Sequence, residues 1–259
     1  MKRVNLFLAI LLCLFVTEIT VAQNTPAAAV DSVEIKRKAK EEHERWLKMD
    51  WPNLKRFRDS NTELGLPAAG EKRVVFMGNS ITEGWLRTSP DSFAGRPYIN
   101  RGISGQTTPQ MLVRFRADVV NLKPKVVLIL AGTNDIAGNT GPSTLEMIED
   151  NLASMVDLAQ ANNIEVVLCS VLPAYDYPWK RGLKPYEKIE KLNSWIKEYA
   201  AQHKCIYLDY YSAMVDGRPG LKPEYGDDGV HPNKLGYSVM EPLAEKAIAE
   251  ALKKSAKRK

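Results

Sequence analysis

Apolar and polar positions change rhythm along this chain. From Arg73 onward, five short β-branched runs stand out: Val74–Met77, Tyr98–Asn100, Val126–Leu130, Ile164–Ser170 and Cys205–Leu208. Amphipathic segments fall between or after them, at about 107–120, 143–162, 184–203 and 234–253. Strands that alternate with helices predict a parallel sheet covered on both faces, and the nearly continuous apolar character of the runs fits strands buried on both sides. The expected fold class is α/β, a three-layer α/β/α sandwich on a five-stranded, mainly parallel sheet. Thr108-Pro109 reads as a cap with proline at the first helical position, Pro142-Ser143 starts the next helix, and Pro232-Asn233-Lys234 opens the last.

Ahead of this domain, residues 34–58 mix Ile35, Ala39, Trp46, Leu47, Trp51, Leu54 and Phe57 with many charges. They predict a helical extension interrupted or ended near Pro52, with Trp46 and Trp51 as core anchors. Residues 23–33 are small and polar and read as a spacer. The first 22 residues have a different layout. Met1-Lys2-Arg3 is basic, Val4 to Val16 is almost wholly apolar, and Thr20-Val21-Ala22 supplies small residues, the pattern of a secretory signal peptide cut after Ala22. The apolar run falls short of the roughly 18 residues of a spanning helix. The expected location is therefore secreted or periplasmic, with no stable membrane insertion after cleavage. The resulting divisions are 1–22 signal peptide, 23–71 spacer and helical extension, 72–252 main α/β domain and 253–259 basic tail.

Composition changes this picture little. Hydrophobic residues form 44% of the chain, enough for a large core. The net charge of +5 comes from the end, where Lys253, Lys254, Lys257, Arg258 and Lys259 crowd the last seven residues. The body is near neutral and carries no basic stripe with interleaved aromatics, so nucleic acid is not an expected partner. Past the signal segment only Cys169 and Cys205 remain, read as buried thiols at the ends of neighbouring strands.

Candidate chemistry gathers where the strands end, the edge at which open parallel sheets bind ligands. Of three histidines, His43 lies in the charged extension and His203 at a helix end. His231 sits in the turn-rich Asp227-Asp228-Gly229-Val230-His231-Pro232-Asn233. A carboxylate three residues before an imidazole can fold back onto Nδ1–H and hold the tautomer needed for proton transfer. The first strand runs into Gly78-Asn79-Ser80-Ile81-Thr82. A serine at such a strand-to-helix turn either caps the helix or presents its hydroxyl as a nucleophile. The third strand ends in Gly132-Thr133-Asn134-Asp135, where Asn134 has an amide to aim at an oxyanion, and the second ends in Arg101-Gly102-Ile103-Ser104-Gly105, with a backbone N–H at Gly102.

In order and approximate spacing, Gly78-Asn79-Ser80, Gly102, Gly132-Thr133-Asn134-Asp135 and Asp228-x-x-His231-Pro232 resemble the four blocks of the SGNH (GDSL-type) hydrolases, over about residues 72–250. The stretch is similar to bacterial secreted GDSL-type lipase/acylhydrolases, including members acting on acetylated carbohydrates. The resemblance implies an SGNH/flavodoxin-like fold and a serine esterase. In it Ser80 is the nucleophile, His231 the general base and Asp228 the residue that orients His231. The oxyanion hole is formed by the N–H groups of Ser80 and Gly102 with the Asn134 side chain. It implies no metal and no organic cofactor. Asn79 departs from the aspartate usual at that place, and this bears on the tuning of the turn. No Gly-x-Ser-x-Gly elbow and no nucleotide-binding glycine pattern is present.

The proline- and aromatic-rich stretch 173–181 follows the fourth strand, so Tyr175, Tyr177 and Trp179 are candidate substrate contacts. The expected substrate is a small-molecule or glycan ester with a short acyl group, since no long apolar segment is available as a lipid-binding lid. The alternatives are a lysophospholipase or thioesterase on the same triad, and a non-catalytic carbohydrate-binding module.

Overall fold

In the computed structural model the chain is described continuously from Met49 to Lys257, preceded by helical positions 34, 37, 38, 40–42, 44 and 45. It divides into two units, Met1–Met49 and Asp50–Lys259. The signal segment, the spacer 23–33, His43 and Trp46 lie outside the described residues. In the first unit Arg37 pairs with Glu34 at 2.7 Å and Glu41 at 2.5 Å, the spacing at which side chains on one helix face meet.

In the second unit five parallel strands lie in the order β2-β1-β3-β4-β5, with β1 Val74–Gly78, β2 Tyr98–Gly102, β3 Val126–Leu130, β4 Glu165–Cys169 and β5 Ile206–Leu208. The helices are α1 Arg58–Leu64, α2 Ser80–Thr88, α3 Thr108–Asp118, α4 Thr133–Ala137, α5 Leu145–Ala161, α6 Tyr186–Gln202, α7 Tyr211–Met214 and α8 Lys234–Lys257. The periodicity of strand side chains divides the core in two. Val75, Met77, Val127, Ile129, Val166 and Leu168 face Met111 and Phe115 of α3, Ile148 and Leu152 of α5, and Leu192 and Ile196 of α6. Val74, Phe76, Val126, Leu128 and Val167 face Ile81 and Trp85 of α2 and Tyr237, Met240 and Ile248 of α8. The result is the expected α/β/α sandwich on a parallel sheet.

Four details differ from the sequence reading. A short helix, α1, follows Pro52 and carries no buried residue. Trp51 is 38% exposed rather than a core anchor, because its segment is a turn fastened by backbone oxygens. Trp51 O accepts from Gln110 Nε2 at 2.8 Å, and Pro52 O from Gln106 Nε2 at 2.7 Å. The basic end is helical through Lys257, where Lys254 and Lys257 in the last turn favour the helix dipole. Cys169 closes β4 and is buried, whereas Cys205 precedes β5 and is half-buried, so the two thiols sit toward opposite ends of neighbouring strands. No helix among the described residues is long and apolar enough to cross a membrane.

Candidate active site

The turn after β1 separates capping from chemistry. Asn79 is the N-cap of α2, its Oδ1 accepting from Ile81 N–H at 3.0 Å. A carbonyl oxygen is all that this bond needs, and Asn79 is buried, so the neutral amide performs the capping without placing a charge in the interior. Ser80, released from the cap, carries its Oγ to 2.9 Å from His231 Nε2.

The turn before α8 is built around Asp228. One carboxylate oxygen accepts the N–H groups of Val230 at 2.9 Å and His231 at 2.8 Å, and the other lies 2.7 Å from His231 Nδ1. Burial opposes ionisation of this carboxyl. The His231 backbone N–H, the imidazole and the Val230 N–H outweigh it and hold Asp228 below the usual carboxylate range. Ser80 and His231 are 151 residues apart in sequence. The helix that Ser80 opens and the one that follows His231 are joined by Tyr237, whose hydroxyl donates to Ile81 O at 2.7 Å and whose ring stacks on Trp85 at 5.4 Å.

Asn134, in the first turn of α4, is 3% exposed and held on two sides. Its Nδ2 donates to Gln106 O at 2.9 Å, and its Oδ1 accepts from Asn139 Nδ2 at 3.1 Å. The bond to Gln106 places the amide beside the loop after β2.

In that loop the structure corrects the choice of glycine. Gly102 N–H donates to Asn100 Oδ1 at 2.9 Å, so it is already engaged. A Cβ on Gly102 would stand 2.2 Å from Glu83 N, which makes it a packing glycine where β2 passes α2. Gly105 is different. It adopts φ +77°, the left-handed region that glycine enters without strain, and its N–H makes no hydrogen bond among the described residues.

Behind the loop lies a buried cation that periodicity did not single out as functional. Arg114 is fully buried and reaches Gln106 Oε1 at 2.6 Å, Gly78 O at 3.1 Å, Arg101 O at 2.9 Å and Asp118 Oδ2 at 3.0 Å. It thus ties the ends of β1 and β2 to the residue that holds Asn134. Its signal in the sequence is positional: Met111, Arg114, Phe115 and Asp118 share the buried stripe of one amphipathic helix.

Only part of the aromatic loop meets the site. Trp179 is 44% exposed, with its ring centroid 6.0 Å from that of His231. Tyr177 is fully buried under Trp179, stacked at 4.9 Å, so it supports the tryptophan and offers no surface to a substrate. Tyr175 stacks on Tyr186 at 5.5 Å and faces Arg218. Lys180 Nζ donates to Ala137 O at 2.6 Å and pins this loop to the end of α4.

A cavity of about 390 Å³ opens on Ser80 and His231 and is lined further by Glu83, Gly84, Arg87, Ser104 and Asp228, among others. A larger hollow of about 630 Å³ lies elsewhere, lined by Lys72, Lys123 and Lys125, and none of the candidate catalytic residues borders it.

Comparison with known proteins shows the family. The model of the GDSL-like lipase/acylhydrolase family matches residues 76–239. Esterase TesA of Pseudomonas aeruginosa is 28% identical over 171 residues, covering 64% of this chain and 79% of that protein. Acetylxylan esterase of Xylanibacter ruminicola is 26% identical over 221 residues, covering 71% of this chain and 45% of that one. The solved structure of a GDSL-like lipase from Bacteroides thetaiotaomicron VPI-5482 has a TM-score of 0.76 and 51% identity, covering 78% of this chain and 100% of that chain.

Proposed function

Since the chain belongs to the GDSL-like lipase/acylhydrolase family and is a hydrolase of esters, we propose that it removes short acyl groups, acetyl above all, from a carbohydrate or another small polar alcohol through an acyl-Ser80 intermediate. The observation that carries this reading is the unbroken chain from Ser80 Oγ through His231 to Asp228, at 2.9 and 2.7 Å.

In the proposed mechanism Ser80 Oγ attacks the acyl carbonyl while His231 Nε2 takes the hydroxyl proton. The resulting imidazolium is stabilised by Asp228, which stays ionised. The tetrahedral oxyanion is met by the N–H groups of Ser80 and Gly105 and by Asn134 Nδ2. Gly105 takes the role that the sequence reading assigns to Gly102. Collapse expels the alcohol, which receives the proton from His231. Water then attacks the acyl-serine with His231 again as base, releasing the carboxylic acid and restoring Ser80.

Two observations support a short acyl group and a polar alcohol. The cavity beside Ser80 is lined mainly by polar side chains, with the ring of Pro232 as its one aliphatic group. Trp179 offers an exposed ring face next to His231, a surface on which the apolar face of a sugar can stack. The acetylxylan esterase among the relatives fits the same choice. Export rests on the basic, apolar and small-residue order of the first 22 residues, and the N-terminus of the mature protein tests it.

Hydrolysis of p-nitrophenyl acetate, butyrate and octanoate by the mature protein, beside Ser80→Ala, tests the activity. The reading expects turnover that falls with chain length and is lost in the variant. Octanoate as the best substrate would contradict the short acyl group, and equal rates in both proteins would contradict the nucleophile.

A further inference from the structure

Ser80, Gly84 and Arg87 lie at i, i+4 and i+7 of α2 and so share one helix face. All three line the 390 Å³ cavity, with Glu83, Ser104, Asp228 and His231. Gly84 is costly inside a helix, and here it is needed for close approach. A Cβ there would come 2.9 Å from Tyr237 Oη, and Arg87 Nη2 lies 3.8 Å from the same point. The tight contact is thus with the Tyr237 hydroxyl, and the Arg87 guanidinium lies over Gly84 at van der Waals distance, on the helix face that carries Ser80.

The charges around this cavity are spoken for, with one exception. Glu83 pairs with Arg56 at 3.3 Å and accepts Ser104 N–H at 3.0 Å. Asp228 is committed to His231 and Val230. Arg87 forms no ion pair and no hydrogen bond among the described residues, although it is exposed and lines the same cavity as both acids. An arginine is always charged and presents a planar fork of donors suited to a carboxylate. Apart from Gly84 and Pro232, the rest of the lining is hydroxyl, carboxylate and imidazole, which suits a hydroxylated molecule.

From this arrangement we infer that Arg87 is a specificity-determining residue that selects an alcohol carrying a carboxylate, so that the preferred substrate is an acylated acidic sugar. The inference rests on the proposed esterase reading for the identity of the site, but its test does not need turnover. Ser80→Ala protein is titrated with methyl glucuronide and methyl glucoside, which differ at the carboxylate. The glucuronide binds more tightly, and raising the ionic strength narrows the difference. Adding Arg87→Gln lowers the preference about fivefold, the effect expected of a partly exposed charge pair, and Arg87→Glu inverts it. Equal binding of the two sugars, no binding of either, or a preference untouched by both variants overturns the inference. If binding follows Arg87 while ester hydrolysis proves independent of Ser80, the esterase reading fails and the anion subsite stands.

Discussion

At the scale of single residues, the site depends on hydrogen bonds that leave one group free for chemistry. Asn79 takes the capping role, which releases the Ser80 hydroxyl to His231. Asn134 has one amide proton committed to Gln106 O, and the proposed mechanism aims the other at the oxyanion. Asn134→Ala should lower kcat by roughly a hundred- to thousandfold, with thermal unfolding showing that the variant is folded. A loss confined to KM would argue against its role in the transition state. Gly102→Ala should behave in the opposite manner. A Cβ at 2.2 Å from backbone crowds α2, so the variant should lose about 1–3 kcal/mol in a denaturant titration, and an unchanged midpoint would refute the packing role. Ser80, Asp228 and His231 were legible because each sits in a short motif at a strand end or turn. The two glycines of the loop after β2 were not separable, since only the bond from Gly102 to Asn100 reveals which N–H is engaged. Tyr177 and Trp179 are likewise one pattern in sequence, and only stacking tells support from surface.

At the scale of elements, α3 organises the loop from below. Its apolar rhythm announced a helix, but the meaning of Arg114 and Asp118 on the buried stripe needed the positions of Gly78, Arg101 and Gln106. Burial pulls the Arg114 guanidinium below its usual range, and Asp118 beside it opposes the shift. Arg114→Met alone should cost about 3–5 kcal/mol by stranding Asp118, and Arg114→Met with Asp118→Leu should recover part of it. A double-mutant cycle in urea measures this, and additive losses would contradict the coupling.

The first turn of α4 carries a pH signature. Burial raises Asp135 above the carboxylate range against the hydroxyl and N–H of Thr108, which lower it. A raised folded value means that its contribution is fully present below the unfolded value near 3.9 and is lost as pH rises through the folded value. Asp228 runs the other way: its depressed folded value contributes stability above the unfolded value, lost as pH falls through the folded one. Asp135→Asn should therefore gain on the parent protein as pH rises from about 4 to 7, read as the difference in unfolding midpoint. A difference that does not change with pH would count against the buried charge.

At the scale of the molecule, the parallel sheet brings the ends of β1, β2 and β3 side by side, while α8 delivers His231 to the same edge and is locked to α2 by Tyr237. The layering followed from alternation and buried runs, whereas the strand order needed the structure. The short α1 needed it too, because it contributes no apolar stripe; Asn61 in it instead bonds Asp118 and Arg101. The central claim is that this assembly makes Ser80 the activated nucleophile. Treating the mature protein with a fluorophosphonate and mapping the adduct by peptide mass spectrometry tests it most directly. The account predicts one adduct per chain, on Ser80, and strongly slowed labelling in His231→Ala. An adduct on another serine, or folded protein that takes no label, would contradict it.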